Sequence, residues 1–307
     1  MARELQMIPV ATLANGHAFA LGVHTLRGVA DGPCLGVVAG THGDEPLTVE
    51  TVRRLLDELE ALPLRGQVRA IACTNPYALQ ALTRNTPVDM ANLNRVFPGD
   101  PDGTFSEQLA HAIWAQVGSC DYLIDFHGSG NDSTVDYVYM HGALELARAF
   151  GCEILRDAPA HPGSLSKIAT DAGIPTLVSE LGGGQQRNTH YLRKGIRGGL
   201  NVLKHVGMLD GEPELPARQT IVEEIVTIAP HHGGLMVSDF DANDLLRSVP
   251  AGTELARIYN PSTLEELEIL TAPFDESIFV LLRERFSTVD VGDYSFMIAN
   301  GATGRPV

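Results

Sequence analysis

The chain has 307 residues, 44% of them apolar and 20% charged, which suits a soluble globular protein with a sizeable core. A formal net charge of −16 argues against nonspecific binding to nucleic acid, and an anionic ligand must be met by local basic groups. No run of ~18 apolar residues predicts a membrane span, and Met1-Ala2-Arg3-Glu4-Leu5-Gln6 lacks the apolar stretch of a secretory signal.

The predicted elements alternate along most of the chain. Gly16 to Arg27 reads as an early antiparallel strand, and Leu35 to Ala39 as a buried inner strand. Leu47 to Leu62 has helical periodicity, and Val68 to Cys73 is the next strand. Ser106 is the predicted cap of a helix that runs to Val117, with Glu107 in its first turn. Tyr122 to Phe126 is a strand, and Ala143 to Phe150 and Ser164 to Ala172 are helices. Pro175 to Ser179 is a strand that ends in Glu180, and His190 to Val206 is a helix despite Gly198-Gly199. This alternation predicts an α/β domain with a mostly parallel or mixed sheet flanked by helices. The texture changes at Glu212-Pro213-Glu214-Leu215-Pro216. Beyond it come short β-branched runs, from Thr220-Ile228 to Tyr294-Ile298. Two domains are therefore expected: an α/β domain over residues 1–212 and a smaller β-rich one over 213–307. The four cysteines, Cys34, Cys73, Cys120 and Cys152, lack metal-type pairing. They read as reduced, small core residues of a cytoplasmic protein; no disulfide framework is expected.

The most informative stretch is Gly40-Thr41-His42-Gly43-Asp44-Glu45-Pro46. It lies on a strand-to-helix turn, at the sheet edge where open α/β folds bind ligands. His42 and Glu45 supply two of the three protein ligands that a catalytic zinc needs. His127, at the tip of Tyr122-Phe126 and before Gly128 and Gly130, is the third candidate. Asp125 shares its strand face and can fix the imidazole tautomer. A single histidine at a strand tip is ordinarily a hydrogen-bonded loop residue. Two at glycine-flanked tips, one with a glutamate three residues on, form a pattern. Glu180 falls at the same sheet edge and could pass a proton between water and a leaving nitrogen; the plainer reading is an exposed strand-end carboxylate. The loop Thr83 to Asp100 carries Arg84 and Arg95, either of which could meet a carboxylate or an oxyanion. The plainer reading pairs Arg95 with Asp89 or Asp100. No Gly-x-Gly-x-x-Gly fingerprint and no Gly-x-Ser-x-Gly elbow occurs.

Taken in order, Gly40-Thr41-His42-Gly43-Asp44-Glu45, Asn75-Pro76, Arg84, Asn94-Arg95-Val96-Phe97-Pro98-Gly99, Asp125-Phe126-His127 and Glu180-Leu181-Gly182-Gly183-Gly184 resemble the succinylglutamate desuccinylase/aspartoacylase family, which is similar to zinc carboxypeptidases in its catalytic domain. The resemblance implies that His42, Glu45 and His127 bind zinc and that Glu180 is the general base and acid. It implies that Arg84 polarises the scissile carbonyl and that Asn94 and Arg95 hold a substrate carboxylate. The triple glycine is similar to the branch with deacetylases of acetylated diaminobutyrate. One departure stands out: Asn92 lies where such proteins often have Asp, which removes a negative charge near Arg95. The implied activity is zinc-dependent removal of the acyl group from a small N-acyl amino acid. The rivals are a carboxypeptidase acting on short peptides and a metal-binding protein of the same fold without turnover. Neither nucleic acid nor membrane is an expected partner, and self-association into a homo-oligomer is left open.

Overall fold

The computed structural model describes residues 3–184 and 188–307. An antiparallel pair, β1 (Arg3–Thr12) and β2 (Ala18–Arg27), precedes β3 (Ala30–Ala39), α1 (Pro46–Leu59) and β4 (Arg65–Ile71). Then come α2 (Pro76–Ala81), α3 (Phe105–Val117), β5 (Tyr122–His127), β6 (Ser133–Tyr139), α4 (Leu144–Phe150), β7 (Ile154–Arg156), α5 (Leu165–Asp171), β8 (Thr176–Gly182) and α6 (Asn188–His205). The remainder is β9 (Thr220–Val222), β10 (Ile225–Ile228), β11 (Gly234–Ser238), β12 (Ser248–Val249), β13 (Glu254–Tyr259), β14 (Glu266–Thr271), β15 (Ser277–Arg283), β16 (Phe286–Val289), β17 (Phe296–Asn300) and β18 (Arg305–Pro306).

The large sheet runs β1-β2-β4-β3-β5-β8-β6-β15-β17-β10. Its centre, β4-β3-β5-β8, is parallel, and both flanks are antiparallel. The sheet is continuous across residue 212, because β6 pairs with β15. A separate antiparallel sheet has the order β14-β13-β11-β16. This is the expected mixed α/β architecture with a β-rich carboxyl-terminal part.

Helices cover both faces of the parallel centre. Leu35, Val37, Val38 and Ala39 of β3 are therefore all fully buried, and the strand reads as an unbroken apolar run. On one face, α1 buries Val52, Leu55, Leu56 and Leu59, a stripe at helical spacing, beside α4 and α6. The glycines inside α6 are explained by this packing. A Cβ at Gly198 would lie 2.4 Å from the Phe150 ring, and one at Gly199 would lie 2.6 Å from Leu55. On the other face, α3 and α5 pack through Phe105, Leu109, Ile113 and Leu165.

Several elements differ from expectation, and three of them are instructive. β1 was not predicted, because most of this edge strand is exposed and its apolar alternation is weak. β6 was not predicted either; it is buried on both sides although it contains Ser133, Thr134 and Asp136. The cap of α3 is Thr104, whose backbone N–H donates to the Glu107 carboxylate at 2.7 Å. Ser106 sits inside the helix, buried, and donates to Asp89 at 2.8 Å. Among the described residues no helix is long and apolar enough to cross a membrane.

Candidate metal centre and active site

The parallel strands bring the candidate residues to one edge. In register, Ala39 of β3 lies beside Phe126 of β5, His127 beside Glu180 of β8, and Glu180 beside Tyr137 of β6. The chain leaves β3 through the turn that carries His42, and Glu45 is the residue before α1. Gly43 is required by close approach: a Cβ there would fall 1.9 Å from the Ala78 carbonyl of α2. The His-Gly pair of the motif is thus a packing solution as well as a chemical one.

His42, Glu45 and His127 are all buried, and one ligand atom from each lies within 4.8 Å of the others. Both imidazoles turn Nδ1 toward the Glu45 carboxylate. His42 Nδ1 is 2.7 Å from Oε1, and His127 Nδ1 is 3.1 Å from Oε2. The opposite ring nitrogens are also occupied. His127 Nε2 is 3.2 Å from Asp125 Oδ2 and 3.3 Å from Asn94 Nδ2. His42 Nε2 is 3.3 Å from Asn92 Oδ1. With outer partners holding the Nε2 side, Nδ1 is presented inward on both rings, as metal-ligating histidines are arranged. Two imidazoles and a carboxylate suit a catalytic zinc with one position left open.

The carboxylates of the cluster favour positive charge on His127. Burial opposes charge on His127, but Asp125 and Glu45 outweigh it and hold the imidazole pKa well above its ordinary value. Burial likewise opposes charge on Glu45, yet His42 and His127 hold that carboxyl well below the usual range. Glu180 is different. Its carboxyl meets the cavity but is enclosed by protein, and burial pushes it up to about 8; His127 opposes this, while Glu45 and Asp125 reinforce it. A carboxyl so placed can both take and return a proton near neutral pH.

The long loop supplies the remaining candidates. It is tied down where Asn75 Nδ2 donates to Thr86 at 2.9 Å and where Asp89 accepts from the N–H and hydroxyl of Ser106. Arg84 points inward, with Nη1 3.4 Å from His42 Nδ1 and 3.7 Å from Glu45 Oε1. Arg95 pairs with neither Asp89 nor Asp100; its Nη1 donates to the Asn94 carbonyl at 2.7 Å. Desolvation and the nearby Arg84 both disfavour its charge. Asn94, beside His127, also accepts the Leu165 N–H at 3.0 Å. Asn92 does not reach Arg95 through its side chain. It faces His42, so this departure from the family pattern bears on the outer partner of a candidate metal ligand.

A cavity of about 570 Å³ opens from this centre. His42, Glu45, His127, Glu180, Arg84, Asn94 and Arg95 all line it, so it gathers every candidate from the sequence. Sequence reasoning missed its far wall: Tyr137, Tyr139, His141, Arg156 and His161. The first three recur at i, i+2 and i+4, the spacing of one strand face, and that was the available signal. Arg156 Nη1 donates to the Tyr139 hydroxyl at 2.8 Å, and its guanidinium carbon lies 4.9 Å from that ring centre. Ile225, Thr227, Tyr294 and Met297 of the β-rich part close the cavity from the other side.

Comparison with known proteins agrees with this architecture. The succinylglutamate desuccinylase/aspartoacylase catalytic domain matches residues 31–206. The fold is that of solved desuccinylase and aspartoacylase structures. A succinylglutamate desuccinylase/aspartoacylase from Rhodobacter sphaeroides is 26% identical, with a TM-score of 0.83 over 97% of this chain and 94% of that one. The product-bound ectoine utilization protein EutE (DoeB) from Ruegeria pomeroyi, at 21% identity, has a TM-score of 0.83 over 97% and 95% of the two chains. The N-alpha-acetyl-L-2,4-diaminobutyric acid deacetylase of Halomonas elongata is 28% identical over 95% of this chain and 85% of its own length. The chain belongs to the succinylglutamate desuccinylase/aspartoacylase family. It is an amide-hydrolysing deacylase, as the resemblance in its motifs implied.

Proposed function

We propose that this protein is a zinc-dependent deacylase that removes the acyl group from a small N-acyl amino acid. The observation that carries the reading is the juxtaposition of His42, Glu45 and His127 with Glu180, which is in register with His127 on the adjacent strand, at the floor of one cavity. His42, Glu45 and His127 would hold the zinc. Bound there, zinc supplies Lewis acidity and lowers the pKa of water toward ~7.

The chain's own residues do the rest. Glu180 takes a proton from the attacking water and later gives it to the departing nitrogen. Arg84, whose guanidinium reaches to within 3.7 Å of Glu45, is positioned to meet the oxygen that gains charge during attack. Arg95 holds the carboxylate of the substrate, and Asn94, which also braces His127, lines the same wall. The similarity to an acetyl-diaminobutyrate deacetylase favours an N-acetylated diamino acid among the candidate substrates. The four free thiols suit the reducing cytoplasm. We further propose residues 1–212 as the catalytic domain and 213–307 as the β-rich domain; the family match over residues 31–206 supports the first part.

A carboxypeptidase would use the same centre. The closure of the cavity by Tyr294 and Met297 favours a small amide over a peptide. The presence of Glu180 and Arg84 beside the candidate ligands favours turnover over metal binding alone. The test is amine release from acetyl, succinyl and formyl amino acids by zinc-loaded protein, with short peptides in parallel. Release from at least one N-acyl amino acid, and a slower rate on peptides, is the expected result. Faster release from peptides would select the carboxypeptidase reading, and release from none would discard catalysis.

A further inference from the structure

The end of the sheet opposite the candidate centre holds a second reactive pair. Cys34, half-buried in the first part of β3, and Cys120, buried just before β5, place their sulfur atoms 3.0 Å apart. That is inside the ordinary contact distance of two sulfurs, and about 1 Å longer than a disulfide bond. The backbones are already at strand spacing. The Cys34 N–H donates to the Asp121 carboxylate at 2.7 Å, and the Asp121 N–H donates to the Cys34 carbonyl at 2.9 Å. Neighbouring strands at ~4.8 Å fall within the Cα separation that a disulfide spans. The chain from Ala30 to Gly32, separated from Cys34 by Pro33, is exposed and Cys34 itself is only half-buried, so small oxidants can reach the site.

We propose that Cys34 and Cys120 are a modification site: they form a reversible disulfide when the protein meets a peroxide. Cys34 is the attacking thiol, because it is half-buried whereas Cys120 is buried. The hydrogen bond from Cys120 holds the Cys34 pKa below its ordinary value and raises that of Cys120; burial works against the lowering, and the Gln67 amide, donating at 3.3 Å, and Arg69 assist it. The other two cysteines differ: burial pushes Cys73 up to about 11 and raises Cys152 as well. In the first step the Cys34 thiolate attacks one oxygen of hydrogen peroxide; the O–O bond breaks, and hydroxide leaves and is protonated to water. In the second step the Cys120 sulfur attacks the sulfenic acid; the S–S bond forms, the S–O bond breaks, and the Cys120 proton leaves in a second water. Two thiols are oxidised by two electrons, and one peroxide is reduced.

The link would join the two strands that deliver His42 and His127, but at their far ends. It therefore acts on stability and leaves the centre alone. Its closed loop spans 86 positions, long enough for a clear effect on the unfolded chain.

The test uses the full reduced chain, treated with a few equivalents of hydrogen peroxide, alkylated and mapped by mass spectrometry. The expected result is a linked Cys34–Cys120 peptide, protection of those two thiols together, and reversal by dithiothreitol. The melting temperature should rise by on the order of 5 °C and fall back on reduction. Cys120→Ser should leave a sulfenic acid on Cys34 that a dimedone probe traps. The mapping needs no variant, so a poorly folding mutant does not blunt it. Four thiols that remain alkylatable, or an oxidised Cys34 beside an intact Cys120 in the unsubstituted chain, would overturn the proposal.

Discussion

The floor and the wall of the cavity handle charge in opposite ways. On the floor, the candidate ligands and Asp125 have counterparts: Glu45 lies between two imidazoles, and Asp125 backs His127. All of these side chains are buried, and each is held by the others. On the wall, Arg95 and Arg156 have no carboxylate partner among the described residues. Arg156 even has a buried Nε without a partner. Most other arginines in this acidic chain are ion-paired, as Arg53, Arg257 and Arg283 are. On the proposed reading, the floor is completed by one cation and the wall by an anion from outside. Substitutions on the floor should therefore act on metal and kcat, and substitutions on the wall on KM.

The sharpest way to break this contrast is His127→Ala. It removes an imidazole that the rest of the floor cannot replace. Zinc content, read by atomic absorption after dialysis, should fall to near zero, and turnover with it. A full complement of zinc in this variant would remove His127 from the ligand set. Next in size is Glu180→Gln. It keeps the shape of the floor, so zinc should be retained, while kcat falls by roughly 10²–10⁴-fold. An undiminished rate would refute its role in proton transfer. A smaller effect is expected from Asn92→Ala, which strips the outer partner from His42. Zinc affinity should drop by about 10–100-fold, measured against a competing chelator. Asn92→Asp, which restores a carboxylate behind the ring, should bind zinc at least as tightly as the unsubstituted chain. Weakening by the aspartate comparable to that by alanine would show that the contact does not steady the ring.

The same contrast explains what was legible in the sequence. The floor comes from short local motifs. His42 and Glu45 share one turn, and His127 and Glu180 each end or nearly end an apolar strand, so residue type and position sufficed to collect them. The parallel centre was equally readable, because strands buried on both faces appear as unbroken apolar runs. The wall beyond Arg95 comes from distant segments. Arg156 ends the three-residue strand β7, and Tyr137 and Tyr139 lie on β6, a strand that Asp136 disguises. Asp136 is tolerated there because the buried Lys194 of α6 pairs with it at 2.5 Å, and Glu153 also reaches that lysine. Nothing in the local pattern announces a salt bridge between residues 58 positions apart. The same holds for Asn92, whose role depends on a loop folding back over His42.

The gentlest test belongs to the wall. Arg95→Ala and Arg156→Gln each remove one unpaired cation and leave the floor untouched. With a substrate that carries a free carboxylate, each variant should raise KM by about tenfold, the scale of one charge-assisted hydrogen bond, with kcat little changed. With the matching neutral amide, in which the carboxylate is blocked, KM should barely move. The difference between the two substrates isolates the charge from the packing, since Arg156 also stacks on Tyr139 and its removal could loosen that ring. If both substrates suffer equally, the arginines serve the shape of the cavity and not its charge. If kcat falls as strongly as KM rises, the wall touches the reacting atoms after all and the division between wall and floor is wrong.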